Sequence, residues 1–169
     1  MTESDFRWLT DEEQRVWRAF MHASRDFNAH LDRQLRRDSG IPVAYYQILV
    51  MLSEAPGRAM RMGELAEQVN SSRSRLSHAV SALEKSGYVV RCAADGDGRG
   101  QVARLTEEGL RVLDAAARGH VTEVRRYLFD LLTPEQLKTL GEIMDGMGEE
   151  LRGVCERERT QDADGPGGC

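Results

Sequence analysis

Apolar residues recur every three or four positions along most of the chain. Val16, Phe20, Ala23, Phe27, Leu31 and Leu35 form the first such stripe, and Thr10 and Glu13 ahead of it have the spacing of a capping box. The pattern predicts an amphipathic helix of roughly 27 residues that ends near Asp38–Gly40. A helix that long has more apolar face than a small core covers, so a second chain is expected against it. Pro42 opens a second helix through Tyr45, Ile48, Leu49 and Leu52, which stops before Pro56-Gly57. A short third helix spans Met62 to Val69. A fourth starts at Ser71 or Ser72 and ends at Gly87, a candidate left-handed cap. Tyr88 to Cys92 and Val102 to Leu105 read as two strands around a turn-rich tip, Asp95 to Gly100. Thr106-Glu107-Glu108 starts a fifth helix, with its acids at the positive end of the helix dipole. Its apolar positions run from Leu110 to Leu131, with Gly119 a candidate bend. Thr133-Pro134-Glu135-Gln136 starts a sixth, carrying Leu137, Leu140, Ile143, Met144, Met147 and Leu151.

The element order implies a mainly α fold: a winged helix-turn-helix with a two-stranded β-wing, flanked by long N- and C-terminal dimerisation helices. The boundaries that follow are residues 1–40 for the first dimerisation helix, 41–106 for the winged module and 107–158 for the C-terminal helices. Residues 159–169 are expected to be a disordered tail, with little apolar surface to offset ordering.

Composition narrows the class. The 169 residues suit one domain with appended helices, and 40% apolar residues suffice for a packed core. No apolar run approaches a membrane span, and Met1 to Trp8 lack a secretory signal pattern. Cys92, Cys155 and Cys169 are few and odd in number, so a disulfide framework is not expected and a reducing, cytoplasmic location is. The net charge of −5 argues against a nucleic-acid partner until it is divided along the chain. From Arg58 to Thr106, eight basic residues stand against five acidic ones, a charge of +3. The remainder holds 15 against 23, a charge of −8.

The chemistry concentrates on the fourth helix. At about 100 degrees per residue, Ala79, Val80 and Leu83 fall within about 60 degrees of Leu76 and form a buried stripe. Ser71, Ser74, His78 and Ser81 lie opposite, Arg75 and Ser77 flank them, and Arg73 stands at the N-terminal edge. Short polar side chains allow close approach to a DNA groove, and Arg, Ser and His donate to base edges or phosphates. The alternative for each serine alone is a solvated surface. Arg99, between Gly98 and Gly100 at the hairpin tip, is suited to a narrow minor groove. Asp97 either orients Arg99 or serves as a plain turn residue.

At these residues the chain resembles the MarR family, the multiple-antibiotic-resistance-type transcriptional regulators. The resemblance rests on Arg61-Met62-Gly63-Glu64-Leu65-Ala66, on Ser72 to Val80, and on Leu83-Glu84-Lys85-Ser86-Gly87-Tyr88-Val89. It is most specific at Asp97-Gly98-Arg99-Gly100 followed by Leu105-Thr106-Glu107-Glu108-Gly109, and extends over roughly residues 10 to 155. It implies a homodimeric regulator, a repressor or an activator, on a pseudo-palindromic operator of double-stranded DNA. The fourth helix would enter the major groove and Arg99 the minor groove. By position, Ser72, Arg73, Ser74 and Arg75 match the helix start that contacts bases and phosphates, Ser77 and His78 match base-contacting positions and Arg99 the wing-tip arginine. Ser71 joins this DNA-contacting set from its place on the outward face, and His78 departs from the Arg or Gln more usual there. Family members that release DNA on binding a small aromatic or anionic effector suggest Trp17, Phe20, Met21, His22, Tyr45, Tyr46, Met60 and His120 for a ligand region. For the apolar ones, packing is the competing role. Arg18 and Arg25 are weaker candidates to pair a ligand carboxylate.

Other classes fit less well. Peroxide sensors of this family keep their cysteine in the first long helix, which has none here, so thiol sensing is a minor alternative. His22 and His30, eight residues apart on one helix, are about 12 Å apart along its axis and cannot share a zinc ion unaided. Gly96, Gly98 and Gly100 open no phosphate-binding helix. Neither cofactor, metal, membrane association nor enzymatic activity is expected. A winged-helix protein-interaction module without specific DNA reading is the alternative from another class; it would show exposed apolar anchors on the fourth helix.

Overall fold

The computed structural model describes residues 6–94 and 97–163, without the side chains of 94, 97–99 and 155–163. The elements are α1 (Asp11–Ser39), α2 (Val43–Glu54), β1 (Ala59–Arg61), α3 (Met62–Gln68), α4 (Arg73–Lys85), β2 (Val89–Ala94), β3 (Asp97–Leu105), α5 (Glu107–Tyr127) and α6 (Pro134–Ala163). The chain divides into two compact units, one reaching Val124 and one from Arg125 onward.

Local chemistry sets the element ends. At the start of α1, the Thr10 hydroxyl accepts from the Glu13 N–H at 3.2 Å while the Glu13 carboxylate accepts from the Thr10 N–H at 2.7 Å. These reciprocal bonds satisfy two donors that a helix start leaves orphaned. Thr133 and Gln136 repeat the device at α6. Pro42 is the N-cap of α2 and contributes no side-chain cap. The Val43 N–H is taken instead by the Asp32 carboxylate of α1 at 2.9 Å, which also ties the two helices together. Gly87 stands just past α4 at φ 76°, the left-handed conformation the sequence assigned to it.

In the first unit, one core joins α1, α2, α3, α4, the sheet and the start of α5. Leu35, Leu49, Leu52, Leu65, Leu76, Val80, Leu83, Val89, Ala103 and Leu113 are buried in it. His30 and Glu123 add a polar link from α1 to α5 at 2.5 Å. In the second unit, the Arg125 guanidinium meets the Asp130 carboxylate at 2.9 Å across the turn between α5 and α6. Among the described residues no helix is long and apolar enough to cross a membrane.

Four expectations change in detail. The hairpin is joined by β1, so the wing belongs to a three-stranded antiparallel sheet of order β1-β3-β2. Ala59, Met60 and Arg61 pair with Arg104, Ala103 and Val102. The fifth helix ends at Tyr127, and residues 129–131 form a separate 3-10 turn. Gly119 lies within unbroken helix and serves close packing: a Cβ there would stand 2.8 Å from Gln34 Nε2. Finally, α6 continues to Ala163, past residue 158 where the tail was expected to begin. Residues 164–169, including Cys169, lie outside the described residues.

Candidate nucleic-acid interface

The helix-turn-helix is α3, a short turn and α4. Asn70 carries the turn at φ 47°, a conformation Asn tolerates better than most residues. Ser72 is the N-cap of α4, and its hydroxyl accepts from the Arg75 N–H at 3.3 Å. Leu76, Val80 and Leu83 are buried and Ala79 half-buried, as the sequence stripe requires. This fixes the outward face. Ser72, Arg73, Ser74, Arg75 and His78 are exposed on it, and Ser71 and Ser77 are half-buried at its sides. The structure thus brings seven of the eight sequence-assigned residues together around one helix. The eighth, Arg99, lies on β3; its side chain and that of Asp97 lie outside the described residues.

Ser81 behaves differently from the outward role its angle suggested. It is half-buried and its hydroxyl accepts from Arg91 Nη2 at 2.8 Å. Arg91 also donates from Nε to the Glu84 carboxylate at 2.7 Å, and its backbone N–H donates to the same carboxylate at 3.0 Å. The guanidinium holds the Glu84 carboxyl below its ordinary range. This clamp ties the last turns of α4 to β2, and so sets the angle between the helix and the hairpin. Glu84 and Arg91 are the residues sequence reasoning missed; their seven-residue spacing crosses a helix end and a turn, where no periodicity applies.

The basic residues of the module now sort by use. Arg58 pairs with Glu107 at 2.8 Å, Arg91 with Glu84, and Arg104 donates to the Gly57 carbonyl at 3.2 Å. Arg61, Arg73 and Arg75 are exposed around the α3–α4 face. Arg61 and Arg73 line a groove of about 630 Å³ with Glu64, Ser77, Gly100 and Gln101.

The ligand candidates do not converge on one place. Trp17, Phe20, Met21 and His22 are exposed on the N-terminal half of α1, with the Trp17 and Phe20 rings 6.2 Å apart. Tyr45 lines a groove between α2 and α4 beside Arg75 and His78. Met60 packs against the core from β1. Tyr46 and His120 do meet, with ring centroids 4.6 Å apart. Burial raises the Tyr46 hydroxyl and lowers the His120 imidazole from their ordinary pKa values. Gln34 of α1, which lies against Gly119 of α5, is a fully buried polar residue the sequence did not flag. Its Nε2 donates to Asp38 at 2.9 Å. Gln34 Oε1 and His120 Nδ1 are buried and find no hydrogen-bond partner among the described residues. Arg18 and Arg25 are turned to Gln14 and Asp26 on their own helix. Cys92 is free and exposed on β2; the side chain of Cys155 lies outside the described residues.

Comparison with known proteins decides the family. The chain is 54% identical to Sco3205 of Streptomyces coelicolor, a MarR family transcriptional regulator solved in complex with DNA. The match covers 88% of this chain and 93% of that one, with a TM-score of 0.84. The chain belongs to the MarR family. The model of the MarR family matches residues 39–100, which hold α2 to the wing. A second MarR-family regulator of the same organism, AbsC, is 41% identical with a TM-score of 0.83, over 88% of this chain and 99% of its own. The HTH-type transcriptional regulator YfiV of Bacillus subtilis is 26% identical over 79% of this chain and 81% of its own. As a MarR-family chain the protein is a transcriptional regulator, not an enzyme.

Proposed function

We propose that this MarR-family protein binds a pseudo-palindromic DNA operator as a homodimer and represses transcription, with α4 in the major groove and the wing in the minor groove. The observation that carries the reading is the outward face of α4. Among the described residues it presents serines, arginines and one imidazole, and no large exposed apolar side chain. That composition suits base edges and phosphates and lacks the anchors a protein-docking helix needs. Residues 41–106 form the reading module. Ser71, Ser72, Arg73, Ser74, Arg75, Ser77 and His78 meet the major groove or its phosphates, and Arg99 the minor groove. The nucleoid is then its place of work.

The test is binding of wild type and His78→Ala across an operator library. His78→Ala is expected to relax preference at one position per half-site by about 1–3 kcal/mol. Identical base preferences in the two proteins would reject the role of His78.

The homodimer is supported by apolar surface left exposed on the long helices. Val16, Trp17, Phe20 and Met21 on α1, and Leu137, Ile143, Met147 and Leu151 on α6, are all exposed in the single chain. Exposed large apolar side chains of this kind on each of two long helices suit burial against a second copy. Sedimentation at micromolar concentration is expected to give the dimer mass; a monomer there contradicts the assignment.

Release by a small aromatic or anionic effector is supported by Gln34 Oε1 and His120 Nδ1. Buried polar atoms without partners are costly, and a ligand carrying a hydroxyl or carboxylic acid would satisfy them.

A further inference from the structure

In B-DNA a major groove and the next minor groove are separated by one sugar–phosphate strand. A protein that lays a helix in one and a hairpin in the other must therefore pass that strand between the two elements. In this chain the space between them is the groove lined by Arg61, Arg73, Ser77, Gly100 and Gln101. The sheet register builds it. Arg61 of β1 pairs with Val102 of β3, which sets the Arg61 backbone next to Gln101. Arg73 and Ser77 come from the first turns of α4. Arg61, Arg73 and Gln101 are exposed, and Ser77 is half-buried. Two guanidiniums, a hydroxyl and an amide thus line one concavity, with Glu64 the one acidic residue lining it among the described residues.

We propose that this groove is a backbone-phosphate site, in which Arg61 and Gln101 hold the DNA strand that runs between the helix-read and wing-read grooves. Neither residue belongs to the set read from the fourth helix and the wing tip. Arg61 contributes charge and Gln101 an amide donor, so the pair positions the duplex without reading sequence. The groove also explains why a third strand is useful here: β1 carries Arg61 to the edge of the wing sheet. The proposal rests on the DNA-binding reading above.

The test uses the full-length protein, a labelled duplex selected from a random-sequence library, and a random-sequence duplex of equal length. Affinity is measured against salt for wild type, Arg61→Gln, Arg61→Lys and Gln101→Ala. Arg61→Gln is expected to weaken both duplexes by the same factor, about fivefold at about 150 mM salt. The slope of log affinity against log salt should shrink by about 0.9, the value of one phosphate contact. Arg61→Lys keeps the slope, and Gln101→Ala weakens both duplexes equally with the slope unchanged. Ethylation of a single phosphate between the two read grooves should weaken wild type and leave Arg61→Gln no weaker. An Arg61→Gln protein with the wild-type slope, or one that loses base preference instead of uniform affinity, overturns the proposal. So does an ethylation penalty equal in wild type and Arg61→Gln. Should Arg61→Gln not fold, Gln101→Ala and the ethylation pattern on wild type decide alone. Salt-independent binding by wild type would instead remove the DNA-binding reading itself.

Discussion

Gly109 shows how one missing side chain holds the winged module together. A Cβ at that position would stand 2.1 Å from the Tyr88 carbonyl oxygen and 2.8 Å from Leu105 Cδ1. The first turn of α5 therefore lies directly on the backbone that enters β2. Thr106 secures the same junction, its hydroxyl donating to the Gly87 carbonyl at 2.7 Å and accepting from the Gly109 N–H at 2.9 Å. Gly109→Ala is expected to destabilise the protein by about 1–3 kcal/mol, the ordinary cost of overpacking, read as a lowered denaturation midpoint. An unchanged midpoint would show that α5 can shift off the strand freely. His120 makes the matching electrostatic prediction. Burial favours its neutral form, so the unfolded chain takes up the proton first as pH falls. Its contribution is complete above the ordinary histidine value near 6.5 and declines below it. Thermal stability should fall between pH 7.5 and 5.5, and His120→Phe should fall less. Equal slopes in the two proteins would show that His120 is not the group responsible. Neither residue announced its role in the sequence. Gly109 was visible only within a family motif, and Gln34 meets Gly119, the residue before His120, only when α1 and α5 pack.

At the scale of elements, what was legible followed period and caps. The six helices, the hairpin and both capping boxes come from spacing rules that act within a few residues. The misses fall where the cause is non-local or too short to have a period. Strand β1 is three residues long, and its reason to exist is the ladder of β3 some forty residues later. The end of α5 at Tyr127 was hidden because Leu128 and Leu131 keep the helical spacing across the turn. Ser81 was placed by angle on the outward face, yet Arg91 of β2 draws its hydroxyl inward. That contact belongs to the clamp of Glu84 and Arg91, which makes the hairpin and α4 one device. The candidate DNA surface was legible because it sits on a single helix. The ligand region was not, because its candidates come from four elements and scatter when those elements fold.

At the scale of the whole molecule, an acidic protein carries a basic reading module. The charge of +3 between Arg58 and Thr106 is partly spent internally, on Glu84 and Glu107. Arg73 and Arg75 are exposed on α4, and Arg61 is exposed at the end of β1. The acidic remainder solvates the long helices and disfavours other surfaces at a phosphate backbone. The account therefore requires binding that is salt-dependent and sequence-specific at once. The most direct measurement is affinity, across a salt titration, for a library-selected duplex against a random duplex. The account predicts a steep linear fall of log affinity with log salt for both, and a preference of about 10³ or more for the selected duplex near physiological salt. Affinity that ignores salt, or that is equal for the two duplexes, would contradict it.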